Sequence, residues 1–421
     1  MDKARISNRI ASFDFWVLIF GQRSQNSKPK TQNSKPLYPL SILMILTLVF
    51  SKLENTNAQK INSFTMNWQI VDSLPAPNIG VAGAYSGVHN GAMLVAGGAN
   101  FPKGLPWEGG KKNYSDTVYV FTKNKNGSLK RLNQIFHLPN SMAYGASVST
   151  PKGIVCLGGE NEKGLSKQAF LMLWNKKIQV IECQNLTDLP IPLTNASATA
   201  DGNTVFMAGG ETTNAVSDKF YSLDLNNKIL EWKELPALPK PLSHSVLAFQ
   251  KHGKKTCIYV AGGRQKKANG ISDIFATLFE FDVATNRWTE KKPMPYALSA
   301  GTGIAVGSNT LLMFGGDKGE TFHQVETLLA AINAENDEVK KQALIAQKNQ
   351  LLTTHPGFTK DIISYNTQTD EWTKIGDMPF DAPVTTTVFK WKNRVIIPSG
   401  EIKAGVRTPH ILAVDILQNE K

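Results

Sequence analysis

One pattern recurs six times and limits this chain to a closed, repetitive architecture. An apolar run ending in a glycine pair appears at Met93–Gly98 (MLVAGG), Ile154–Gly159 (IVCLGG), Val205–Gly210 (VFMAGG), Ile258–Gly263 (IYVAGG) and Leu312–Gly316 (LMFGG). A sixth copy, Val395–Gly400 (VIIPSG), keeps one glycine of the pair. The second glycines fall at 98, 159, 210, 263, 316 and 400, so the spacings are 61, 51, 53, 53 and 84 residues. A period near 50 built on strand-like runs is the signature of four-stranded sheets repeated around an axis. Stretches of small residues precede each run, at Gly80–Val88, Ala143–Ser149, Thr194–Ala200, Ser243–Ala248, Ser299–Val306 and Val384–Val388. Small side chains suit the innermost strand of each sheet, where all six crowd together. Second strand-like segments follow at Thr117–Phe121, Phe220–Leu225, Leu278–Val283 and Ile362–Asn366, and Leu-Pro or Met-Pro closes most copies. Proline there ends the ladder and turns the chain inward to the next copy.

The expected fold is therefore all-β, a six-bladed propeller of the kelch type. The sixth copy ends on His410–Ile416 without its outer Trp…Pro strand, and the missing strand is found at the other end, in Met66–Pro75 (MNWQIVDSLP). An N-terminal strand that completes the last blade closes the ring with no exposed sheet edge. One spacing departs from the rule. Gly263 to Trp288 is 25 residues, whereas Gly316 to Trp372 is 56. The extra chain, about 321–354, is rich in Ala, Leu, Glu, Lys and Gln and repeats its apolar residues at helical intervals, so it is expected to be helical. It is either a surface hairpin or a lid over the axial mouth, and its departure just after a glycine pair favours the lid.

Ahead of the repeats lies a different kind of chain. Residues 1–58 hold eight basic and three acidic residues, which accounts for +5 of the net +12 and leaves +7 beyond. A near-duplicate, SQNSKPK then TQNSKPL, reads as polar low complexity, and an apolar run follows at Leu40–Phe50. That run is too short to span a bilayer, which takes about 20 residues. Basic residues, then an apolar run, then small residues before a cut match a secretory signal cleaved near Ala58; the other reading is a buried helix at the start of a domain. Residues 1–34 stand ahead of an ordinary signal, so the translation start is expected downstream of Met1. The organisation expected is thus 1–58 as leader and signal, and 59–421 as one propeller that works in the periplasm or is secreted, with no stable membrane insertion. The oligomeric state is left open.

Composition removes several functional classes. With 41% hydrophobic and 19% charged residues the chain is not disordered. Three cysteines rule out a disulfide scaffold and form no CxxC pair for zinc. The histidines show no HxxxH-type spacing and there is no phosphate loop or nucleotide fingerprint, so neither metal nor cofactor is called for. Basic residues beyond the leader occur only in short pairs such as Lys111-Lys112, and nucleic acid is not an expected partner.

In such a propeller the loops after the glycine pairs collect one residue per blade around the mouth. Here that ring is read as Asn100, Glu160, Glu211, Arg264, Asp317 and Glu401. Loops are often polar for no functional reason, but Glu401 stands out because the glycine pair before it is altered and because Lys403 and Arg407 follow within EIKAGVRT. A carboxylate beside a guanidinium in a partly closed mouth provides a proton acceptor and an anion clamp. The loop Ala96–Asp116 is either a structural Ω-loop or a carbohydrate platform, with Trp107 as the flat face and Asn100, Lys111, Lys112 and Tyr114 as hydrogen-bonding groups.

These motifs resemble the N-acetylneuraminate epimerase family, kelch propellers that interconvert the anomers of sialic acid. The resemblance covers residues 64–421 and rests on VAGGANFPKG with KKNYSD, on MAYGASVS, on the helical insert and on SGEIKAGVRT. It implies that Glu401 is the proton-accepting glutamate and Arg407 the arginine that clamps the substrate; the ring and the Ala96–Asp116 loop, read from the residues themselves, add Asn100, Glu160, Glu211 and Lys111 as further candidates for binding an acidic sugar. The blade order differs from that of better-known members, as if the chain were cyclically permuted, a change that a closed ring of blades tolerates. The competing expectation is a non-catalytic kelch propeller that binds glycan or protein.

Overall fold

The computed structural model describes residues 64–124, 128–252, 255–267 and 270–418. The leader and signal peptide expected over 1–58 lie outside the described residues. Six four-stranded antiparallel sheets surround one axis. Blade 1 is built, from axis to rim, of Tyr85–His89, Ala92–Ala96, Thr117–Lys123 and Leu129–Arg131, with Phe136–His137 adding to the third strand. Blades 2 to 5 repeat the order from inner strands Ala146–Thr150, Ser197–Asp201, Val246–His252 and Thr302–Val306. Blade 6 takes Phe389–Trp391, Arg394–Pro398 and His410–Gln418 from the end of the chain and Phe64–Ser73 from its beginning. Phe64 stands opposite Gln418 and Ser73 opposite His410, so the closing strand is paired over nearly its whole length.

The blades pack through apolar layers shared between neighbours. Tyr85 from blade 1 and Ile154, Cys156, Phe170 and Trp174 from blade 2 belong to one such layer. At the rim three tryptophans tie blades 3, 4 and 5 each to the one before. Trp232, Trp288 and Trp372 donate their indole N–H to the carbonyls of Thr187, Pro236 and Lys292 at 3.1, 2.9 and 2.8 Å. The carbonyls lie within three residues of a Leu-Pro or Met-Pro step, which explains why the two signals keep phase.

The glycine pairs have a steric cause. Gly158 and Gly209 adopt φ of 61° and 66°, and a Cβ on either would land on the carbonyl oxygen of Leu193 or Leu242 in the next blade. At the sixth copy Ser399 takes the same left-handed conformation, φ 55°. Its hydroxyl accepts from Val81 N–H at 2.8 Å and lies 2.7 Å from the Thr408 carbonyl oxygen, which compensates for the unfavourable backbone.

A second circle closes nearer the axis. Just before each inner strand one residue is left-handed: Gly83, Tyr144, Asn195, His244, Ala300 and Thr385. Each donates its backbone N–H to the carbonyl of its counterpart one blade back, at 2.8 to 3.1 Å, and Gly83 N–H completes the loop on Thr385. Below this circle the inner strands enclose a channel of about 480 Å³ lined by small and hydroxyl side chains; above it lies the mouth.

The helical insert is a hairpin of α1 (Glu320–Ala334) and α2 (Glu338–Thr353). Asp337 caps α2 by accepting from Val339 and Lys340 N–H. Among the described residues no helix is long and apolar enough to cross a membrane.

Candidate functional site at the propeller mouth

Each blade delivers two neighbouring residues to the mouth. The residue before the left-handed position forms a β-bridge with the residue after the glycine pair: Ala82 with Ala99, Ala143 with Glu160, Thr194 with Glu211, Ser243 with Arg264, Ser299 with Asp317, and Val384 with Glu401. The side chains presented are therefore Tyr144 and Glu160, Asn195 and Glu211, His244 and Arg264, Ala300 and Asp317, and Thr385 and Glu401. Blade 1 offers only Gly83 and Ala99. All of the large members except Glu211 line one small cavity of about 60 Å³, together with Phe322 from α1 and Phe358.

The ring expected from sequence is present in five blades and shifted in the first. Ala99, not Asn100, occupies the equivalent position; Asn100 is buried one residue further on and donates its amide to the Gly80 carbonyl at 2.9 Å. Lys111 is exposed, whereas its neighbour Lys112 turns inward, 3.3 Å from Glu160 and over the rings of Tyr114 and Tyr144. The Tyr114 hydroxyl donates to Glu160 at 2.6 Å. Trp107 does not present an open face to a sugar: it packs in a cluster with Val325 and Leu352 of the hairpin and Ala404, and its indole N–H donates to Thr353 at 3.0 Å.

Glu401 and Arg407 are adjacent on the short hairpin of blade 6, where they pair across its two strands. Glu401 Oε1 accepts from Gly405 N–H at 2.8 Å and lies 3.4 Å from Arg407 Nη1. The guanidinium is stacked on Phe101 at 4.9 Å, and its side chain is fully buried. Opposite them is a second ionic group that sequence reasoning did not assemble. Glu211 accepts from the Ser243 hydroxyl at 2.7 Å and lies 3.4 Å from Arg264 Nη2 and 3.5 Å from His244 Nδ1. Burial alone would raise the Glu211 carboxyl, but Arg264, His244 and Ser243 together hold it far below its ordinary value. Asp317 shifts the other way, raised chiefly by burial although Gly319 N–H and Arg264 oppose the shift.

The hairpin covers this mouth. Phe322 stacks on the Arg264 guanidinium at 5.0 Å, and the buried Glu326 takes two hydrogen bonds from Ser272 in the blade 4 loop. The lid is thus fastened to blade 4 by α1 and to blades 1 and 6 by the Trp107–Ala404 cluster.

Tyr144, Asn195, His244 and Thr385 were not among the expected site residues. The signal of the first three is present in the sequence, as one larger or polar residue near the start of their small-residue stretches (MAYGAS, LTNASA, LSHSVL).

The sequence profile of the N-acetylneuraminate epimerase family matches residues 51–181 and 186–421. N-acetylneuraminate epimerase of Haemophilus influenzae is 26% identical over 226 residues, 53% of this chain and 58% of that protein. The Pasteurella multocida protein of the same name is 28% identical over 223 residues, 53% and 56% of the two chains. That of Vibrio cholerae is 38% identical over 131 residues, 27% and 33%. The alignments thus span little more than half the length of these relatives, or less. With most of its length matched by the family profile, the chain belongs to the N-acetylneuraminate epimerase family.

Proposed function

We propose that this protein is a sugar mutarotase that interconverts the anomers of N-acetylneuraminate or a related acidic sugar by opening and reclosing the pyranose ring. The observation that carries the reading is the buried Glu401–Arg407 pair, of which Glu401 lines the mouth with Arg407 behind it, on a chain whose family is named for this reaction. Glu401 accepts the proton of the anomeric hydroxyl; the bond to the ring oxygen breaks as that oxygen is protonated; the open carbonyl rotates and closes on its other face. Arg407 holds the sugar's carboxylate, for which a guanidinium is suited by its paired donors. The reaction is redox-neutral and consumes nothing. Sugar-sized ligands occupy sites of roughly 300 Å³ or more, so a cavity of about 60 Å³ has to widen to admit a sugar, and we assign that widening to movement of α1, whose Phe322 lines it. We further propose that the protein acts outside the cytoplasm after removal of its leader.

The test is to dissolve one crystalline anomer and follow its equilibration by proton NMR. Acceleration that scales with enzyme concentration is expected; equilibration at the buffer rate overturns the proposal. A binding-only propeller would leave the rate at that of buffer while still retaining the sugar.

A further inference from the structure

Ring opening needs an acid for the ring oxygen as well as a base for the hydroxyl, and the resemblance supplies only the base. We propose that His244, oriented by Glu211, is that acid, a further catalytic residue facing Glu401 across the mouth. The inference rests on the mutarotase reading and goes beyond it.

Four observations support it. His244 lines the same cavity as Glu401. Its Nδ1 is directed at the Glu211 carboxylate, 3.5 Å away, with the Ser243 hydroxyl 3.3 Å from the same nitrogen and 2.7 Å from Glu211. With Nδ1 so engaged, Nε2 is the nitrogen that would serve a ligand, the arrangement by which a carboxylate fixes an imidazole's orientation and stabilises its protonated form. The backbone of His244 is held on both sides by the axial circle, from Asn195 at 3.1 Å and to Ala300 at 2.9 Å, so the ring is anchored at a rigid point.

The proton balance is complete. Glu401 takes the anomeric hydroxyl proton as the carbonyl forms; the electrons of the breaking C–O bond go to the ring oxygen, which takes the proton of the His244 imidazolium. Closure on the opposite face returns one proton to His244 and the other to the new anomeric oxygen.

Electrostatics act from every side of the imidazole. Glu211 from blade 3 favours the charged form, as do the carboxyl groups of Glu160, Asp317 and Glu401 around the cavity, while Arg264 shares Glu211 and opposes it. An acid must be protonated, so the catalysed rate should fall as pH rises through the imidazolium's titration. Removing the Glu211 charge should move that fall to lower pH.

The experiment is a pH–rate profile by NMR, less the uncatalysed rate, for wild type, His244→Gln and Glu211→Gln. Expected for His244→Gln is a kcat about 100-fold lower or less, KM within about threefold, and loss of the alkaline fall. Glu211→Gln should keep the fall but shift it down by about one pH unit. A His244→Gln kcat within about threefold of wild type with its alkaline fall intact overturns the proposal, as does a fall in Glu211→Gln at the wild-type pH. Thermal melts check folding, and should His244→Gln not fold, the shift in Glu211→Gln decides alone. A wild type with no activity defeats the mutarotase reading itself, which keeps the two failures distinct.

Discussion

Ser272 donates both its backbone N–H and its hydroxyl to Glu326, at 2.8 and 2.7 Å, so one buried carboxylate of α1 is held by one residue of the blade 4 loop. His323 Nε2 lies 2.9 Å from the Ser272 carbonyl oxygen, which makes a third contact between the same two segments. The lid is therefore fastened by polar contacts that can exchange with water, on top of a small apolar cluster.

Glu326→Ala should release α1. Hydrogen bonds to a charged group contribute about 1.5–3 kcal/mol each, so the open population should rise by at least about tenfold. Limited proteolysis, with fragments mapped by mass spectrometry, should show cutting between residues 320 and 354 at a correspondingly higher rate while the propeller stays intact. Unchanged cutting would mean that the apolar cluster alone holds the hairpin.

Glu401→Gln preserves an acceptor for Gly405 N–H but removes the carboxylate proposed as the base. The catalysed rate should fall roughly 10²- to 10⁴-fold with the melting temperature within a few degrees of wild type. NMR equilibration and circular dichroism on the same sample separate loss of chemistry from loss of fold.

His355 links stability to pH. It is buried at the end of the lid, and burial, aided by Lys403, lowers it from 6.5 to about 4. Above pH 6.5 neither the folded nor the unfolded histidine is charged. As pH falls from 6.5 to 4, only the unfolded state gains the proton, so stability is lost across that window by up to about 1.4 kcal/mol per unit. Denaturant midpoints should show a shallower decline over this range in His355→Gln.

Gly209→Ala tests the glycine-pair rule. The added methyl would meet the Leu242 carbonyl, and the backbone is left-handed. The substitution should cost several kcal/mol, about 3 or more by analogy with overpacked and strained sites, seen as a large drop in melting temperature. Gly202→Ala, in open space with φ 58°, should cost only about 1 kcal/mol.

The fold was readable because each of its devices needs a residue type at a fixed period. Gly158 and Gly209 are glycines for a steric reason that Gly97 and Gly262 share, and Trp288 reaches back to the preceding blade as Trp232 and Trp372 do. The closing strand was legible by what His410–Ile416 lacked. The site was legible only in part. Glu401, Glu160, Glu211, Arg264 and Asp317 share one count from the second glycine, and the same count gives Ala99 in blade 1; the polar character of Asn100 displaced that ring by one. Lys111 and Lys112 are neighbours, and adjacent residues of an extended segment face opposite sides, so the sequence alone does not say which turns inward. His244 was hidden among serines and small residues that read as packing. Its partnership with Glu211 spans a blade boundary, 33 positions along the chain and 3.5 Å apart in space.

The axial circle closes through six hydrogen bonds. Its link from Gly83 to Thr385 crosses the gap where the chain begins and ends, yet at 2.8 Å it is no different from the five links made within continuous polypeptide. The break in the backbone is felt only at the rim, where Phe64–Ser73 seals it. Seen from the mouth the six blades form a ring with no first or last member, and a gene recut to start in any other gap is expected to build the same mouth.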